Sequence, residues 1–281
     1  MSASSPFSPA NSPDSRSGEP RTRAVLVTGA GKRIGRGIAL EFARQGWNVA
    51  VHYGTSEREA RETVAQIEAL GRRAVALQAD LADETAVAQL VPACVESFGS
   101  LQCVVNCASR FDEDTAATFS YAKLMQMTAV NLAAPLTLAR TLHEATPDDA
   151  ANDDARRAVV INVLDQKLYN MNPDYLSYTL TKAALDNATV ALAQALAPKL
   201  RVVGLAPGLT LVSAWQTPAS FEAAHRVTPL GRASTVDDLA QAACYLANAH
   251  GVTGTTLVVD GGQHLVPSPR DVMYMIDAPK P

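Results

Sequence analysis

From Arg23 onward, short and nearly continuous apolar runs alternate with longer stretches of helical periodicity. The runs are AVLVT (24–28), WNVAVHY (47–53), RAVALQ (73–78), LQCVVN (101–106), AVVINVL (158–164), RVVGLA (201–206) and TLVVD (256–260). A strand with one wet face alternates apolar and polar positions. These runs are too uniformly apolar for that, as a parallel sheet covered by helices on both faces requires. The pattern predicts one doubly wound α/β domain over residues 21–265, with a seven-stranded parallel sheet. Residues 1–20 hold seven Ser and four Pro and no apolar core segment. Such a stretch cannot offset its ordering entropy and predicts a disordered tail. The acidic TPDDAANDDARR (146–157) reads as an exposed loop, and residues 266–281 as a C-terminal tail whose role the pattern leaves open.

Composition narrows the function classes. At 281 residues, 47% hydrophobic and 19% charged, the chain is long enough to bury a sizeable core. A net charge of −4 argues against nucleic acid or an anionic membrane as partner. No apolar run reaches the ~18 residues of a membrane span. The N-terminal stretch lacks the apolar centre of a secretory signal, so a cytoplasmic location is expected. Cys94, Cys103, Cys107 and Cys244 form no C-x-x-C pair, and His52, His143, His225, His250 and His264 are scattered. Neither a disulfide frame nor a metal site is expected.

Candidate chemistry sits in two places. The first apolar run ends in Thr28-Gly29-Ala30-Gly31-Lys32-Arg33-Ile34-Gly35, followed by a helical pattern. Glycine at a strand-to-helix turn lets backbone amides approach a phosphate, and the helix N-terminus favours its charge. Spacing alone also fits a packing turn, but its place at the first strand-to-helix junction favours the cofactor reading. The second run ends in His52-Tyr53-Gly54-Thr55-Ser56, with no acid until Glu57. A carboxylate there would bind a ribose 2′-hydroxyl. Its absence, with Arg33 and Ser56 in reach, favours NADPH over NADH. Further on, Tyr178 and Lys182 leave one face of a helix, an ammonium beside a phenol whose pKa it would lower from about 10. Tyr-x-x-x-Lys also recurs by chance on surface helices. Asp165 stands thirteen residues before the Tyr, at the end of an apolar run.

Taken together, TGAGKRIG (28–35), Asp80-Leu81, Asn106-Cys107-Ala108-Ser109, Asn131, Tyr178-x-x-x-Lys182, Pro207-Gly208 and Val259-Asp260-Gly261-Gly262 resemble the short-chain dehydrogenase/reductase family over about residues 23–265. The resemblance implies a Rossmann-type fold and a homotetramer formed through the Tyr178 helix and the last strand. Tyr178 would be the proton donor, Lys182 would hold the nicotinamide ribose and tune the Tyr, and Asn131 would order a water relay. Gly29, Lys32, Arg33, Ile34, His52, Tyr53, Ser56, Asp80, Leu81, Asn106, Ala108, Ser109, Pro207, Gly208 and Leu209 would surround the cofactor together with Tyr178 and Lys182.

One departure sets this chain apart: most members of the family carry Ser where Asp165 stands. With Lys32-Arg33, His52-Tyr53 and the Arg110-Phe111 that follows Ser109, it resembles the pteridine reductase branch. That likeness implies a pterin-like small-molecule substrate among Arg33, Ser109, Phe111, Asp165 and Tyr178. Thr55, where the branch tends to carry Arg, departs from it. The chemistry runs the same way. A Ser hydroxyl donates to the oxyanion of a carbonyl substrate; an ionised carboxylate repels it and suits a substrate with N–H donors. The expected reaction is hydride transfer from NADPH to a C=N bond of a dihydropterin or dihydrofolate. Alternatives are a carbonyl reductase or alcohol dehydrogenase of the same family, and a catalytically silent NADPH-binding regulator. Residues 209–232 would form a lid, with Trp215 and Phe221 against substrate or merely packed.

Overall fold

The computed structural model describes residues 22–212, 218–226, 228–232, 234–272 and 274. The N-terminal tail and Trp215 lie outside them. Seven strands, β1 (Ala24–Val27), β2 (Asn48–Tyr53), β3 (Ala74–Gln78), β4 (Cys103–Asn106), β5 (Ala158–Val163), β6 (Leu200–Pro207) and β7 (Thr256–Val259), form one sheet in the order β3-β2-β1-β4-β5-β6-β7. Every neighbouring pair is parallel. The doubly wound fold expected from the apolar runs is the fold found.

Alternation within β1 shows why both faces had to be apolar. Val25 and Val27 join one buried cluster with Ile38, Phe42 and Ala243, while Ala24 and Leu26 join another with Leu90, Leu138 and Leu142. The first cluster draws on α1 (Arg33–Arg44), α2 (Glu57–Ala69) and α8 (Val236–Asn248); the second on α3 (Glu84–Phe98), α5 (Ala134–Ala145) and α6 (Leu176–Ala195). Burying a Leu or Phe in either layer is worth roughly 1.5–3 kcal/mol.

Helix ends follow local chemistry. Asp83 caps α3 by accepting from Thr85 N (2.8 Å) and Ala86 N (3.3 Å), and Gly99 ends it in the left-handed region. Thr235 and Asp238 cap α8 reciprocally. The acidic stretch 146–157 holds a short 3-10 turn, Asp148–Asn152, with Asp148 2.9 Å from Lys199. Two shorter helices, α4 (Tyr121–Thr128) and α7 (Pro218–His225), lie near the ends of strands and in the expected lid segment.

Strand order reverses direction between β1 and β4, which opens a crevice at the carboxyl ends of these strands. Among the described residues no helix is long and apolar enough to cross a membrane. No group of three or more His, Cys, Asp or Glu side chains among them is placed to hold a metal ion.

Candidate active site

The crevice is a cleft of about 680 Å³, within the range of small-molecule sites. Gly29, Lys32, Arg33 and Ile34 wall it after β1, Ala108, Ser109 and Phe111 after β4, Asp165 after β5, Tyr178 and Lys182 from α6, and Pro207, Gly208 and Leu209 after β6. These expected residues thus come together from four strand–helix junctions and one face of α6.

The glycine loop is held by close backbone contact. Gly29 has φ +66, and a Cβ on Gly35 would lie 2.4 Å from Gly29 O, so the first turn of α1 can tuck under the loop only without a side chain there. Lys32 at the helix start makes no side-chain cap, leaving the first N–H groups of α1 for another partner. Its ammonium pairs with Glu59 at 3.0 Å.

His52, expected to border a cofactor, supports the glycine loop from beneath. It is 2% exposed and lies under the glycine loop, off the cleft wall. Its Nδ1 accepts from Gly29 N at 3.1 Å, which puts the ring proton on Nε2, where it donates to Ala79 O at 3.2 Å. Burial pushes its pKa down to about 4. Tyr53, Ser56, Asp80, Leu81 and Asn106 are also off the wall. Asp80 closes its turn by accepting from Ala82 N, Leu81 packs in the core, and Asn106 Nδ2 donates to Asn162 Oδ1 at 2.8 Å. Asn106 Oδ1 is buried without a partner.

On the other side, Asp165 is fixed at both oxygens. Oδ1 accepts from Lys167 N at 2.8 Å, capping a short 3-10 turn, and Oδ2 accepts from Tyr178 OH at 2.8 Å. Lys182 Nζ donates to Val163 O at 2.6 Å and lies 5.8 Å from the Tyr178 ring centre. Burial lowers the Lys182 pKa to about 8.

The lowering of the Tyr178 pKa expected from Lys182 is reversed. Burial raises it well above 10, and the charge and hydrogen bond of Asp165 raise it further. Asp165, whose oxygen accepts the phenol's hydrogen bond, outweighs an ammonium turned towards a carbonyl. The Asp165 carboxyl is itself raised, chiefly by burial, although the Lys167 and Tyr178 hydrogen bonds hold it down in part.

Asn131 lies just behind the wall, 1% exposed, in a π turn (Ala129–Ala133) between α4 and α5. Its Nδ2 donates to Arg110 O (2.9 Å) and Thr181 Oγ1 (3.1 Å), and its Oδ1 accepts from Arg110 N (2.8 Å). It therefore ties the loop after β4 to α6. Phe111 in that loop stacks on Tyr175 (centroids 4.3 Å, 18°) and meets Tyr178 edge-on (4.6 Å, 87°).

Several residues of the site carry no signal in the sequence. Asp114, 1% exposed, accepts from Ser177 N at 3.0 Å and from the Ser177 hydroxyl, capping α6 where Tyr175 (φ +53) cannot. Gln263 Oε1 accepts from Leu209 N at 2.9 Å. Leu164 and Gln166 also line the wall, with Asp271 and Val272 from the C-terminal segment.

A family model described as enoyl-(acyl carrier protein) reductase matches residues 29–264. The chain belongs to the short-chain dehydrogenase/reductase family. Among reductases and dehydrogenases of this family, it is 33% identical to 3beta-hydroxysteroid dehydrogenase 1 of Eggerthella lenta over 87% of this chain and 95% of that protein. It is 32% identical to the 3-oxoacyl-[acyl-carrier-protein] reductase FabG of Staphylococcus aureus, over 87% and 99% of the two chains. Its fold matches the crystal structure of FolM alternative dihydrofolate reductase 1 from Brucella canis complexed with NADP. There the TM-score is 0.80 and the identity 37%, over 87% and 95% of the chains.

Proposed function

We propose that this short-chain reductase uses NADPH to reduce a C=N bond of a dihydropterin or dihydrofolate. The observation that carries the reading is the hydrogen bond from Tyr178 OH to Asp165 Oδ2, made where the common family pattern has a Ser. The likeness to a FolM dihydrofolate reductase complexed with NADP supports it. So does the glycine loop, whose uncapped α1 N-terminus and Gly29 backbone suit a dinucleotide phosphate. Gly29, Arg33, Ile34, Ala108, Ser109, Lys182 and Pro207 to Leu209 would hold the cofactor, which supplies hydride when bound.

The chain's own residues handle the proton. Tyr178 stays a phenol at working pH because burial and Asp165 both oppose its ionisation. A phenol held neutral can hydrogen-bond an imine nitrogen and hand over its proton as hydride reaches the adjacent carbon. Asp165, held by Lys167 N–H, accepts from substrate N–H groups with its remaining lone pairs and offers a path by which a proton returns to Tyr178. The cation of Lys182 offsets the phenolate formed in passing. Phe111 forms an aromatic wall for a flat ring. Exposed Leu180 and Val190 of α6 and Leu257 of β7 offer apolar area that the expected homotetramer would bury.

A second reading, reduction of a carbonyl, is favoured by the relatives that are a hydroxysteroid dehydrogenase and an oxoacyl reductase. Steady-state NADPH oxidation against dihydrobiopterin, dihydrofolate, a β-ketoacyl thioester and simple ketones separates them. Turnover of the ketones with none of the pterins would overturn the proposal. Tight NADPH binding with no turnover at all would leave the regulator.

A further inference from the structure

The segment beyond Leu265 returns to the substrate end of the cleft. Arg270 Nε donates to both oxygens of buried Asp174, at 3.0 and 2.9 Å, and the N–H of Asp271 donates to Asp174 Oδ2 at 2.7 Å. Tyr274 donates to Glu113 and stacks on Tyr175, which in turn stacks on Phe111. These fastenings bring the Asp271 carboxylate to the cleft wall beside Asp165 and Phe111. Its Oδ2 lies 3.7 Å from Nζ of Lys167, an ammonium that is 3% exposed and also donates to the Asp174 carbonyl.

The cations around this end are largely engaged. Arg110 pairs with Asp112 and Arg270 with Asp174, so each is committed to an acid. Among the described wall residues Lys32 and Arg33 lie on the glycine-loop side and buried Lys182 donates to Val163 O, whereas the carboxylates of Asp165 and Asp271 both face the substrate end. Such a wall accepts hydroxyl and N–H donors and repels anions.

We propose that Asp271 is a specificity-determining residue: it accepts donors from a neutral, hydroxyl-bearing dihydropterin and disfavours substrates whose substituent ends in carboxylates, as in dihydrofolate. This rests on the pterin reading above and chooses within it. The Lys167 ammonium and the Arg270–Asp174 pair hold the carboxylate in place.

The test compares kcat/KM for 7,8-dihydrobiopterin and 7,8-dihydrofolate in the wild type and in Asp271→Asn, with NADPH affinity measured alongside. The wild type should prefer dihydrobiopterin. Asp271→Asn should raise KM for dihydrobiopterin about tenfold, a typical loss for a hydrogen bond to a charged group, while kcat/KM for dihydrofolate rises. NADPH affinity should stay unchanged. Movement of the two substrates in opposite directions is a result that mere loosening of the segment would not give. In the wild type alone, the diamide of dihydrofolate, with both glutamate carboxylates neutralised, should be reduced about tenfold better than dihydrofolate. Equal changes for both substrates, no change for either, or a diamide no better than its parent acid would overturn the assignment and leave the pterin reading standing. A wild type that reduces ketones and neither pterin would remove both.

Discussion

On the glycine-loop side of the cleft the wall is mostly backbone, fixed within a few dozen residues of chain. Gly29, Gly35 and the start of α1 interlock directly, and His52 props the loop from below. On the other side the wall is made of side chains brought from distant segments: Phe111, Asp165, Tyr178 and Asp271. The first half fits a ligand shared by a whole family and leaves little room for variation. In the second half Tyr178 belongs to the family pattern, whereas Phe111, Asp165 and Asp271 can each be exchanged without disturbing the sheet, which leaves them free to set one member apart from another.

Substitutions can break or sharpen that contrast. The largest effect is expected for Tyr178→Phe, which removes the proposed proton donor. Turnover should fall ~10²–10⁴-fold, the range for losing general acid catalysis, with NADPH binding intact in a fluorescence titration. Retained turnover would refute the role of Tyr178.

Next comes His52. Its folded pKa of about 4 lies below the unfolded value of 6.5. The folded protein therefore refuses a proton that the unfolded chain accepts, and stability present above pH 6.5 is lost as pH falls towards 4. The loss is about 3 kcal/mol. Urea unfolding across this pH range should show it, and His52→Gln should make the slope distinctly shallower. A smaller cost, about 1–3 kcal/mol of overpacking, is expected for Gly35→Ala, whose Cβ would meet Gly29 O at 2.4 Å. It should appear as weaker NADPH binding with little change in kcat; an unaltered Kd would show that the loop is less rigid than its contacts imply. Phe111→Ala should be mildest, about 1 kcal/mol, seen in KM for the proposed pterin substrate and absent from KM for NADPH.

The same division decided what could be read from the sequence. Strand positions were legible because burial on both faces leaves a local mark: β1 to β7 each fall at or within two residues of the apolar runs. The glycine loop and the Tyr178–Lys182 spacing were legible because their partners lie within a turn or two. Asp114 and Ser177 are 63 positions apart, and Asp271 meets Asp174 across 97, so no local pattern links them. The direction of the Tyr178 shift was missed for another reason. Helical spacing shows that Lys182 is near, but not that the Lys182 ammonium is engaged by Val163 O while Asp165 takes the phenol hydrogen.

The π turn at Ala129–Ala133 widens one helical turn and aims Asn131 sideways, where it grips Arg110 in the loop after β4 and Thr181 in α6. Phe111 is the next residue in that loop, and Tyr178 is three before Thr181. The Phe111 and Tyr178 rings, in edge-to-face contact, are therefore riveted to one bracket. A ligand that displaced Phe111 would strain the bracket that also holds the Tyr178 helix. The place of the aromatic wall and the aim of the Tyr178 hydroxyl are set by a single part.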